Sequence, residues 1–178
     1  MFVKTKGENE LSKFPSAEVL LSAIQKEYEF ELSRKKDLET RAGIFLPLII
    51  ALCTFILSNF NARDLFQFNL EQADIVYTIV TVLIILTKFI CLILALLYFI
   101  KVLIVYRYER IDLKEFTEEL AEHEKDVIEM SLINIYRDIV EKNQTVNDKK
   151  AIYYTKGIYY LIGFVILMLG LFILSMNC

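Results

Sequence analysis

The stretch TVLIILTKFICLILALLYFIK, residues 81 to 101, constrains this chain more than any other. It belongs to an apolar run from Ile75 to Tyr106, and two further runs occupy residues 42 to 60 and 157 to 176. At a rise of about 1.5 Å per residue, roughly 19 helical residues cover the roughly 30 Å of a bilayer's hydrocarbon. Within lipid a backbone must satisfy its own polar groups, so each run is expected to be a helix. Charged residues make up 24% of the chain, yet they gather in blocks between the apolar runs, as in a membrane protein. The predicted fold is therefore all-α, with three membrane spans and a helical cytosolic portion.

Direction follows from the basic residues at the span ends, because short Lys- and Arg-rich flanks stay in the cytosol. Arg34, Lys35, Lys36 and Arg41 precede span one; Lys101, Arg107 and Arg110 follow span two; Lys149, Lys150 and Lys156 precede span three. The outer loop, residues 61 to 74, sets Arg63 against Asp64, Glu71 and Asp74. The expected location is a bacterial inner (plasma) membrane, multi-pass, with the N-terminus in the cytoplasm and the C-terminus outside. Some forty mostly polar residues precede the first run, and no small-residue cleavage site follows it, so it does not read as a signal peptide.

Residues 1 to 15 form a polar N-terminal segment. Residues 16 to 41 are predicted to be a cytosolic helix, N-capped at Ser16 and running without a break into span one. Residues 107 to 150 read as acidic amphipathic helices, with a capping-box-like start at Asp112–Leu113–Lys114–Glu115. Ile128, Leu132, Ile135 and Ile139 recur there at steps of four, three and four. NQTVNDKK, residues 143 to 150, carries turn-favouring Asn and Asp, which predicts a break near Asn143 to Asn147. Span three and the C-terminus then occupy residues 151 to 178.

Lys88 is the chief candidate for function. An intramembrane lysine costs about 2.5–3.5 kcal/mol on insertion scales and usually faces a bundle interior or water. If Tyr77 and Tyr98 mark the interfaces, they stand about 31 Å apart and Lys88 lies near the midplane. If Tyr106 and Arg107 mark the inner interface, Lys88 lies close to the outer surface and snorkels. Asp74, Thr78, Thr81 and Lys88 share one face, a stripe suited to a pore or a helix interface. Gly163 with Gly170, and Ala51 with Ser58, are small-residue pairs seven apart that suit close helix packing.

In the acidic segment, Glu118, Glu119, Glu122 and His123 form a candidate surface for a partner or trigger, or simply a solvated helix face. Catalysis is not expected, since the one histidine lies in an acidic run away from any nucleophile. Cys53, Cys91 and Cys178 form no close-spaced pair, and no glycine-rich loop is present, so neither a metal nor another cofactor is expected. A net charge of −3, with no basic–aromatic cluster, argues against nucleic-acid binding.

The segments EYEFELSRKKDLETRAGIFLPLIIAL and YRDIVEKNQTVNDKKAIYYTKGIYYLIGFVIL, which flank spans one and three, resemble small multi-span bacterial effectors of anti-phage defence. These are the transmembrane effectors of CBASS and Pycsar systems and related two- or three-span domains. The resemblance covers about a third of the chain as a pattern of charged helix, basic–Ala entry and apolar span. It implies a homo-oligomer in the lipid bilayer that forms a pore or disrupts the membrane, triggered by a soluble defence protein or a small-molecule signal. No nucleotide-sensing motif accompanies it. The alternative is a non-conducting scaffold or accessory subunit that docks a soluble partner.

Overall fold

The computed structural model describes residues 13–58, 75–104, 108–112, 118 and 122–176, with the side chains of 57, 75–78 and 174–176 left out. Among these residues the chain is all-helical, with no strand. Helix α1 spans Ala17–Ser58, α2 spans Ile75–Leu103 and α3 spans Lys125–Met176. All three are long and apolar enough to cross a membrane. The chain divides into two compact units, one of residues 1–34 with 107–147 and one of residues 35–106 with 148–178.

In the first unit, α1 begins where the sequence predicts. The Ser16 carbonyl accepts the Leu20 N–H at 3.1 Å, and the Phe14 carbonyl accepts the Ala17 N–H at 3.0 Å. The Phe14 N–H donates to Asp126 at 2.9 Å, which ties the entry of α1 to the first turn of α3. A carboxylate in that first turn also faces the positive end of the helix dipole. Tyr28 meets Tyr136 edge-on at 5.5 Å, and Ile139 and Val140 are buried. At the solvent edge, Lys125 holds the Glu18 carboxyl below its usual range through a 2.8 Å ion pair.

Residues 122 to 124 form a turn, and α3 starts at Lys125, where the Glu124 carbonyl receives the Val127 and Ile128 N–H groups. The Asp112–Glu115 capping box lies largely outside the described residues. One expectation for this region is corrected. The predicted break at Asn143 to Asn147 is absent, and α3 passes straight through it. The physical reason is that these asparagines face inward, where their amides bind neighbouring backbone instead of bending their own. Asn143 grips residue 109 twice, accepting the Glu109 N–H at 3.0 Å and donating to the Glu109 carbonyl at 3.1 Å. Asn147 donates to the Glu31 carbonyl at 2.9 Å and to the Glu31 carboxylate at 2.6 Å. A side-chain amide satisfied elsewhere no longer competes with the helix.

The second unit is the apolar bundle. Its core holds Ala42 and Ile49 of α1, Leu92, Ala95, Phe99 and Val102 of α2, and Phe164 of α3. Phe99 is its centre. It stacks on Phe45 at 5.1 Å, meets Tyr154 edge-to-face at 5.8 Å and lies over Gly157. Full burial reaches only to Ile49, Leu92 and Phe164, so the described helices pack tightly around Phe99 and more loosely towards Ser58, Ile75 and Met176. α1 continues through Pro47, whose missing N–H would have paired with the carbonyl of Gly43. Thr54 and Thr87 donate to the carbonyls of Ile50 and Leu83, which keeps their hydroxyls satisfied inside apolar helix.

Candidate functional site

The polar face of α2 is built by helical spacing. Thr81, Ile85, Lys88, Leu92, Ala95, Phe99 and Val102 follow one another at steps of four and three, and the last four are buried core. Val82, Leu83, Leu86, Ile90, Ile93, Leu97 and Ile100 make the exposed face opposite. Lys88 and Thr81 therefore lie on the bundle-facing stripe, and both are half-buried. Lys88 stands 13 residues from Ile75 and 15 from Leu103, close to the middle of α2. Its ammonium lies 5.6 Å from the centre of the Phe89 ring.

Thr81 differs from its neighbours in kind. Thr54, Thr87 and Thr145 all donate to the carbonyl four residues back. The Thr81 hydroxyl is buried without a hydrogen-bond partner, a property shared among the described residues only with the Asn147 carbonyl oxygen. An unmade bond on a buried hydroxyl costs about 1–3 kcal/mol. A polar atom and a half-buried ammonium thus occupy the loosely packed end of the bundle-facing stripe. Of the other stripe candidates, Asp74 lies outside the described residues, and Thr78 is helical with its side chain not described.

The small-residue candidates separate. A side chain on Gly163 would meet the Cys91 sulfur at 3.8 Å, and one on Gly170 would meet nothing within 4 Å. Ala51 and Ser58 are exposed. The close approaches lie elsewhere, at Gly157 under the Phe99 ring and at fully buried Ala42 and Ala95. In the acidic segment, Glu118, Glu122 and His123 are exposed, Glu122 and His123 in the turn before α3, and Glu119 lies outside the described residues.

Sequence reasoning missed the buried polar anchors, Glu31, Asn143 and Asn147 in the first unit and Lys150 in the second. Glu31 is 2% exposed and is held by Asn147 and, at 3.4 Å, by Arg34. The Tyr108 hydroxyl lies 3.4 Å from the Asn147 amide. Burial pushes the Tyr108 phenol above its ordinary range, with the Glu31 carboxylate acting in the same sense and the Asn147 hydrogen bond against it. In the second unit Lys150 is fully buried and pairs with Glu39. A signal for these residues existed. The stripe Ile128, Leu132, Ile135, Ile139 continues at steps of four, four and three through Asn143, Asn147 and Lys150. Polar residues on an apolar stripe mark buried anchors rather than a turn.

Compared with known proteins, the chain matches no family model, and neither curated proteins nor solved structures show a significant similarity to it.

Proposed function

We propose that this chain is an oligomeric membrane effector that forms a pore or disrupts the inner membrane, triggered through its cytosolic helices. The observation that carries the reading is the position of Thr81 and Lys88 on the bundle-facing stripe of α2. A lysine there cannot be solvated by lipid tails. Its insertion cost of about 2.5–3.5 kcal/mol is offset when copies of the chain, or water between them, meet that face. The looser packing beyond Leu92 leaves room for such a rearrangement, while the Phe99 layer keeps the protomer together. The anti-phage setting comes from the resemblance of the span flanks.

Dye and ion leakage from liposomes containing the purified protein tests this, with oligomer mass measured in parallel. Lys88→Leu is expected to change leakage or toxicity at unaltered expression. Absence of leakage in every oligomeric state would overturn the reading.

One observation favours the scaffold alternative. Val19, Leu20 and Phe30, at the N-terminal end of α1, are 72%, 50% and 59% exposed. Large apolar side chains on a segment assigned to the cytosol suit a docking surface for a soluble protein. Stable capture of a soluble protein, abolished by Leu20→Glu and Phe30→Glu, together with intact liposomes, would select the scaffold.

A further inference from the structure

We infer that α2 and α3 form a binding site for the headgroup of one anionic phospholipid, built from Tyr98, Lys101, Tyr153, Lys156 and Tyr160. The Tyr98 ring stacks on Tyr160, with centroids 5.5 Å apart and planes within 8°, and it also leans on Tyr153 at 6.2 Å. The Lys101 ammonium lies 5.4 Å from the Tyr98 ring and 5.6 Å from Tyr153. The Lys156 ammonium reaches the same Tyr98 ring at 5.8 Å from the other helix. Two cations from two helices thus converge on one aromatic platform.

Lys125 and Lys150 have carboxylate partners in Glu18 and Glu39. Among the described residues, Lys101 and Lys156 pair with no carboxylate. Ring faces attract each ammonium but do not cancel the repulsion between two of them. A phosphodiester does, offering one oxygen to each ammonium and accepting a hydrogen bond from a tyrosine hydroxyl.

The location selects a lipid rather than a free anion. From Phe89 to Ile100, α2 carries no charged residue, and α3 carries none from Gly157 to Met176. The cluster therefore stands where basic sequence meets apolar helix. Exposed Leu97 and Ile162 continue away from it as a surface for acyl chains. This site holds whether or not the chain conducts.

The test is lipid retention by the full-length protein in mixed micelles of detergent with phosphatidylglycerol or phosphatidylcholine, read by native mass spectrometry. Phosphatidylglycerol is expected to be retained over phosphatidylcholine. Lys101→Gln with Lys156→Gln should weaken retention roughly twenty-five-fold, from about five-fold per lysine. Lys149→Gln, exposed on α3 outside the cluster, should leave it unchanged. Millimolar inorganic phosphate should not displace the lipid. If the double variant does not fold, Lys156→Gln alone gives the readout, at about five-fold. Equal retention of both lipids, full retention by the lysine variants, equal loss in Lys149→Gln, or displacement by inorganic phosphate would each overturn the site.

Discussion

Three glycines of α3 offer one chemical change in three different surroundings. An alanine methyl at residue 157 would stand 3.1 to 3.2 Å from three atoms of the Phe99 ring. That ring is fully buried, stacked on Phe45 and edge-packed on Tyr154, so it has nowhere to retreat. Forcing a methyl into a filled core costs about 1–3 kcal/mol. At residue 163 the methyl would make an ordinary 3.8 Å contact with Cys91, and at residue 170 it would enter open space. The helix-propensity gain of Gly→Ala, about 1 kcal/mol, is common to all three and cancels in the comparison. Gly157→Ala should therefore fall about 1–3 kcal/mol below Gly170→Ala, a difference of roughly 3 to 10 °C in melting temperature for a chain of this size. Gly163→Ala should match or exceed Gly170→Ala.

The assay is detergent thermal unfolding read by a thiol-reactive dye. The half-buried free thiols Cys53 and Cys91 report opening of the bundle, in a Cys178→Ser background. Phe99→Leu should cost less in the Gly157→Ala background than in the wild type, because the two side chains contend for one space. If Gly157→Ala melted with Gly170→Ala, the Phe99–Gly157 contact would not be the tight point of the bundle.

Other outcomes follow from the buried polar anchors. Asn147→Leu should cost about 1–3 kcal/mol, read in the same unfolding assay, because it withdraws a donor from the buried Glu31 carboxylate. Asn147→Asp, which brings a second carboxylate to Glu31, should cost more. Glu39→Gln should destabilise by about 1–3 kcal/mol, since it weakens one charge-assisted hydrogen bond to a fully buried ammonium. Lys150→Met should cost much less, because Glu39 remains one-third exposed to water. Tyr108 binds its proton more tightly folded than unfolded, so its contribution to stability is intact below about pH 10 and fades as pH rises above it. An ultraviolet phenolate titration of wild type against Tyr108→Phe should show one late-titrating tyrosine.

The sequence by itself determined the helices of this protein. Apolar runs of bilayer length leave a backbone no other way to satisfy its hydrogen bonds, so three helical segments of that length were legible before any contact was known. Even the unbroken passage of α1 from Ala17 into the first span could be read, because no strong breaker intervenes before Gly43. Spacing also put Thr81 and Lys88 on one face. What that face meets was a matter for the tertiary structure, because a helical period gives relative directions and not the location of the neighbours. Only the packed bundle shows that Leu92, Ala95, Phe99 and Val102 continue the same stripe inward. The asparagines of α3 were misread for a related reason. Asn favours turns when its amide must find a partner locally, and in this fold Glu31 and Glu109 supply partners 116 and 34 residues away. Local preference set the expectation, and contacts distant in sequence overrode it.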